Sequence, residues 1–252
     1  MQLIELFWPA FMLAILLVFV HTIFGLEIIK RGVIFTDLAT GQFAAIGVAV
    51  SLLVFDGEYS FILTFIFALL GALLISIATY RVRNIEAFIG MLYALGASSI
   101  MILLSNSPEG VELFQKLQAS DILYTTLDDL IEPGFLYIGI AIAFYLFYHK
   151  TKGFLKELFF FGLLALTVTS SVRLAGVLVV FVLLVVPAYI SLLQNKYTKL
   201  YFAWFIGYAI IISAIIFSYL YDLPTGFTIV FVASLTGVIS ALVLKRNSTN
   251  TL

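Results

Sequence analysis

Asp37 is a carboxylate inside "GVIFTDLATGQFAAIGVAV", a stretch otherwise apolar enough for the interior of a bilayer. A charge facing lipid is costly, so Asp37 should turn to protein, water or a cation. Thr36, Thr40 and Gln42 add neutral oxygens beside it. Asp37 and Thr40 are an i,i+3 pair, whereas Asp37 and Gln42 point about 140° apart on a helix. These residues could line a curved passage, but their spacing does not by itself make one ion site. An equally simple reading makes Asp37 a structural hydrogen-bonding residue at a helix start, with Gly41, Ala44, Ala45 and Gly47 allowing close helix contact.

His21 and Thr22 lie toward the inner end of the first apolar stretch. Imidazole nitrogen can take a borderline divalent metal, which makes His21 a second metal candidate beside Asp37. A packed, hydrogen-bonded histidine fits the same sequence. His149, next to Lys150, suits a solvated boundary. Glu86 opens the small-residue segment "EAFIGMLYALGASS" and is read as an interface anchor of a packing or gating helix. Arg173, in "TSSVRLAG", could pair with an outward carboxylate, stabilise a bend or snorkel to the interface. Pro187 removes a helix donor and offers a kink for packing or gating. Glu109 and Glu112 belong to an acidic run and are candidates for external cation capture, or simply a solvated face.

The elements that must position these groups are apolar segments at roughly 5–26, 33–54, 60–79, 86–104, 131–148, 157–171, 174–193, 201–220 and 225–244. The expectation is an all-α, polytopic integral membrane protein with about nine transmembrane helices in one domain, residues 1–252. Segment 157–171 supplies only about 22 Å of helical rise against a hydrocarbon core of about 30 Å, and is expected to be bent, broken or incomplete. Residues 105–130 interrupt the series as an external amphipathic or re-entrant element, opening with the turn Pro108-Glu109-Gly110. The first stretch has no basic leader or small-residue cleavage pattern and is read as a retained anchor.

Charge orients the bundle. Of 13 Lys plus Arg, all but Lys116 and Arg173 fall at Lys30/Arg31, Arg81/Arg83, Lys150/Lys152/Lys156, Lys196/Lys199 and Lys245/Arg246. Positive connections face the cytoplasm, so the N-terminus with Glu5 lies outside and the C-terminus inside. Asp56, Glu58, the run from Glu109 to Glu132, and Asp222 then face outward.

Composition excludes other classes. The chain is 63% hydrophobic and 11% charged, too little polar surface to cover a soluble domain. It carries no basic stripe for nucleic acid. With no cysteine, thiolate catalysis, disulfides and iron–sulfur ligation are ruled out. No G-x-x-x-x-G-K-[ST], H-E-x-x-H or G-x-S-x-G motif is present, so ATP hydrolysis requires a separate subunit.

Three ordered blocks carry a family resemblance: "HTIFGLEIIKRGVIFTDLATGQFAAIGVAV", then "EAFIGMLYALGASS" followed by "PEGVELFQKLQASDIL", then "TVTSSVRLAGVLVVFVLLVVPA". In these the chain resembles the membrane permease subunit of the ABC importer family for zinc, manganese and iron. The resemblance implies a permease homodimer in the bilayer, a cytoplasmic ABC ATPase that uses ATP, an external or periplasmic solute-binding protein, and alternating access in a bacterial inner membrane. It departs from the family where the familiar D-A-L-S-H reads Asp37-Leu38-Ala39-Thr40-Gly41, lacking the histidine. Glu109 stands where related members typically look histidine-bearing. The connection "YHKTKGFLKE" is shorter than the family's, which leaves Lys150, Lys152 and Lys156, or the turn from Arg81 to Glu86, as alternative contacts for the ATPase. A metal-chelate permease, a secondary cation transporter coupled through Asp37, and a membrane assembly protein are the competing readings.

Overall fold

The computed structural model describes residues 2–105, 107–148, 150–194 and 197–244, and these form ten α-helices. His149, Lys196, Lys245 and Arg246 lie outside the described residues, as does the side chain of Glu5. In chain order the helices are α1 (Gln2–Arg31), α2 (Thr36–Phe55), α3 (Ser60–Arg81), α4 (Ile85–Leu104), α5 (Gly110–Gln118), α6 (Asp128–Phe147), α7 (Gly153–Ala175), α8 (Val177–Leu192), α9 (Lys199–Tyr221) and α10 (Thr225–Val243). A 3-10 turn at Ile122–Tyr124 follows α5. Among the described residues, eight helices are long and apolar enough to cross a membrane, and α8 is a shorter apolar helix of 16 residues. The multi-span, all-helical membrane architecture expected from the sequence is the one observed.

The expected short crossing is not where the sequence placed it. Segment 157–171 belongs to α7, an unbroken helix of 23 residues. Its ends look polar in sequence but are satisfied in place: Thr167, Thr169 and Ser171 donate back to carbonyls one turn earlier, and Glu157 is ion-paired to Arg31. The short element is α8, whose rise is only about 24 Å. It tolerates this by being enclosed, with α1, α9, α10 and α2 packed around it. Lipid is not its main neighbour, which explains a helix apolar on every side.

A second group forms where α2 packs on α3, α4 and α7. Close approach uses residues without side chains. Gly25 of α1 lies directly against the Leu184 carbonyl and Ala188 of α8, a contact that any Cβ would break. Gly176, at φ 85°, joins α7 to α8 in a conformation that favours glycine. A Cβ there would stand 2.7 to 2.8 Å from the backbone of Gln118 and Ala119. The chain after α5 is therefore seated on the α7–α8 joint, where Ser120 N–H donates to the Ala175 carbonyl at 2.9 Å.

The outward faces of α4, α6, α9 and α10 carry exposed large apolar side chains such as Met91, Phe135, Phe205 and Leu242. Such faces suit a lipid solvent.

Candidate functional site

The first turn of α2 places Thr36, Asp37 and Thr40 together in full burial. Both Asp37 carboxylate oxygens lack a hydrogen-bond partner among the described residues, as do the hydroxyls of Thr36, Thr40 and Thr22. This is unusual within the same molecule. Thr64, Thr79, Thr167, Thr169, Thr228 and Thr236 all donate to the carbonyl one turn back. Among the described residues, buried hydroxyls remain uncommitted only beside Asp37 and at Thr22 of α1. A carboxylate that caps or starts a helix would accept backbone N–H groups, and Asp37 accepts none.

One stripe of α8 connects these groups. Val177, Phe181, Leu184 and Ala188 recur at helical spacing; Gly41 meets Val177, Phe35 stacks on Phe181 at 6.2 Å, and Gly25 meets Leu184 and Ala188. Asp37 lies one turn before Gly41 and Thr22 one turn before Gly25, so each unpartnered group shares a helix face with a glycine that packs on α8. A Cβ at Gly41 would lie 2.8 Å from Val177 Cγ1. The space that a side chain at position 41 would need is occupied by Val177.

Gln42 is elsewhere. Its amide exchanges hydrogen bonds with Gln118 at the end of α5, Nε2 to Oε1 at 3.2 Å and the reverse at 3.4 Å. Its Cβ packs against Gly96 of α4, 2.7 Å from where a Cβ at Gly96 would sit. Asp37 and Gln42 thus occupy different faces of α2, as their spacing implied.

His21 is buried with both ring nitrogens engaged. Nδ1 donates to the Leu17 carbonyl at 2.7 Å and Nε2 lies 3.1 Å from Ser171 Oγ. The ring meets Tyr137 edge-on at 6.5 Å, and Tyr137 donates to Ser170 at 3.3 Å. The histidine therefore belongs to a hydroxyl cluster on α6 and α7. Ten residues of α1, about 15 Å of helix, separate it from Arg31.

The remaining candidates have separate surroundings. Glu86 accepts the Ile34 N–H at 2.9 Å and so braces the turn between α1 and α2. Pro187 lies in the last turns of α8, with its ring against Gly207 of α9. Arg173 is exposed near the end of α7, over the Phe61 ring at 5.8 Å. Glu109 is exposed just before α5. Glu112 pairs with Lys116 at 2.8 Å, and that ammonium holds its carboxyl below the ordinary range. Among the described residues no three His, Asp or Glu side chains converge as a metal site.

At the opposite end, Arg31 reaches Glu157 and Tyr148, while Tyr148 donates to Glu27 at 2.8 Å. The Arg31 guanidinium also lies 4.2 Å over the Phe160 ring. This cluster ties α1, α6 and α7 together and was not evident from the sequence.

The family model described as the ABC 3 transport family matches residues 3–244. The chain belongs to the ABC 3 transport family. An uncharacterized membrane protein in the ycf23-apcF intergenic region of Cyanophora paradoxa is 28% identical over 210 residues, 72% of this chain and 70% of that protein. PsaBC from Streptococcus pneumoniae, solved in complex with a Fab, superposes with a TM-score of 0.75 at 20% identity, covering 95% of this chain and 92% of its own. A transporter assigned to the metal-chelate type of ABC transporter, in an inward-facing conformation, gives 0.61 at 14% identity over 94% and 82%. These likenesses establish the fold. Family membership also bears out the resemblance of the three ordered sequence blocks to ABC importer permeases for metals.

Proposed function

We propose that this ABC 3 family chain is the membrane permease subunit of an ATP-driven importer of a divalent metal, zinc, manganese or iron, with Asp37 as the charged group of the passage. One observation carries the assignment: a fully buried carboxylate with no hydrogen bond among the described residues, beside threonine hydroxyls equally free. Such a group has lost its water without receiving protein donors in return. A passing cation restores that loss, and the neutral hydroxyls offer it further oxygens. One carboxylate and a few hydroxyls make a weak, oxygen-rich stop rather than a cage, and a transported ion must be able to leave.

The partners follow from the family. Two permease chains would enclose the pathway, a cytoplasmic ABC ATPase would supply ATP-driven closure, and an external solute-binding protein would deliver the metal. The chain would lie in a bacterial inner membrane with its N-terminus outside. Gln42 and Gln118 would hold the α5 segment over the bundle as a closure contact, with Glu109 and Glu112 in the external field that concentrates cations. Glu86 and Pro187 serve packing in this reading, and His21 supports the passage from the α7 side.

The experiment is uptake by the reconstituted complex. Asp37→Asn keeps size and removes charge; it is expected to lower ATP-driven uptake of zinc, manganese and iron by at least about tenfold, the effect of roughly 1.4 kcal/mol. Assembly with the ATPase, measured separately, should be unchanged. Parental uptake of every metal by a correctly assembled Asp37→Asn complex refutes the passage role.

A further inference from the structure

One charged side chain has no part in that pathway. Arg173, near the end of α7, has Phe61 under its guanidinium and no carboxylate within ion-pair distance among the described residues. Asp56 and Glu58, on the α2–α3 connection, are both beyond that reach. Arg173 opens onto a cavity of about 280 Å³ that Lys116, Ser60 and Ser120 also line. The rest of its wall is apolar, with Val48, Leu52 and Leu113 among the lining side chains.

We propose that this cavity binds an anionic membrane lipid, its phosphate held by Arg173 and Lys116 and the start of its acyl chain lying against Val48, Leu52 and Leu113. The charges and the walls argue for the same occupant. A guanidinium offers a planar fork of donors to phosphate oxygens, and a nearby ammonium adds a mobile point charge. Lys116 already holds Glu112, but an exposed i,i+4 pair is worth little and leaves its other donors free for phosphate. The serine hydroxyls supply neutral donors at the same rim. A soluble anion would have no use for the leucine and valine wall. A lipid needs both halves, and the cavity lies where α2 ends, α3 begins and α7 ends, at one end of the apolar spans where headgroups sit.

The test uses the full-length chain in nanodiscs of phosphatidylcholine with graded phosphatidylglycerol, scored by native mass spectrometry for retained lipid and by thermal midpoint. The wild-type chain is expected to retain one phosphatidylglycerol saturably and to gain thermal stability with it. Arg173→Gln should weaken that binding by about tenfold, the loss of a charge-assisted contact. Lys116→Gln should weaken it less, and Arg173→Lys should fall between wild type and Arg173→Gln. Lys152→Gln, at the opposite end of the bundle, should leave binding unchanged. Lys116 is exposed, so its variant remains informative even if Arg173→Gln folds poorly. Binding at wild-type strength by both glutamine variants overturns the proposal. So does displacement of the lipid by an equal concentration of soluble glycerophosphate, which would make the cavity a site for free anions.

Discussion

The side-chain amides of Gln42 and Gln118 meet head to tail, each Nε2 facing the other's Oε1 at 3.2 and 3.4 Å, across 76 positions of sequence. Both residues are buried. Truncating one strands the other, so Gln42→Ala or Gln118→Ala should each cost about 1–3 kcal/mol of stability. A leucine pair at both positions removes every unmet group and should cost less than either single change. A double-mutant cycle in thermal or denaturant unfolding measures the coupling, and strict additivity would show that the pair does not hold α5 to α2. Uptake by Gln42→Ala should fall less than uptake by Asp37→Asn.

That pair also marks the limit of what the sequence discloses. Gln118 looks like one more polar residue of a surface run, and nothing local announces a partner in α2. The same holds for Glu157, the first residue of the apolar segment 157–171, where nothing local announces Arg31 as its partner. Asp37 differs because burial of a lone carboxylate in an apolar helix is dictated by local composition. The all-helical, multi-span architecture was legible because membrane length is a one-dimensional constraint. The identity of the short helix was not, because α8 is permitted to be short by its neighbours rather than by its own residues. Likewise, no spacing rule reports that Val177 fills the place where a side chain at Gly41 would go.

Orientation has a direct check. Single cysteines introduced into this cysteine-free chain at Arg83 and Lys152 should react only with permeant reagents, while those at Glu112 and Asp222 should react with impermeant ones. The reverse pattern at Lys152 and Glu112 would invert the proposed topology.

The cluster at the end of α1 should act as a joint. Arg31 and Glu157 are mostly shielded, at 18% and 16% side-chain exposure, so removing one partner leaves a poorly solvated charge. Glu157→Gln is expected to lower stability by about 2 kcal/mol, and Arg31→Gln on that background to add less than it does alone. Burial pushes the Tyr148 hydroxyl above its ordinary range, so it stays protonated and continues to donate to Glu27 through neutral pH. Tyr148→Phe should therefore reduce stability without introducing a pH dependence near neutrality. Equal stability of Glu157→Gln and the parent would remove the joint.

External capture is an electrostatic matter with its own signature. Glu109→Gln with Glu112→Gln should slow uptake by a few-fold at low metal and low salt, and the difference should vanish as ionic strength shortens the Debye length below about 8 Å. Lys116 lowers the Glu112 pKa, so any stabilisation from this pair is complete above the ordinary glutamate pKa and fades as pH falls through the depressed value. Both residues are exposed, so thermal midpoints should hardly move. A salt-independent defect would point to a contact rather than a field.

His21 offers a choice between packing and ligation. The Leu17 carbonyl can only accept, so Nδ1 carries the proton of that bond and the neutral ring presents Nε2 as its acceptor. Ser171 Oγ lies 3.1 Å from Nε2 and 2.8 Å from the Thr167 carbonyl, and its single hydrogen can serve one of them well. Ser171→Ala removes that hydroxyl and frees Nε2. If the histidine is structural, the variant should lose about 1–3 kcal/mol of stability, the penalty for a stranded buried acceptor, while the ratio of zinc to manganese uptake stays at the parental value. If Nε2 is a metal ligand, freeing it from the serine should instead raise the share of zinc, the metal better suited to imidazole. Uptake ratios in reconstituted vesicles, taken beside unfolding curves, separate the outcomes. An increased zinc share without loss of stability would transfer His21 from the packing of α6 and α7 to the metal path.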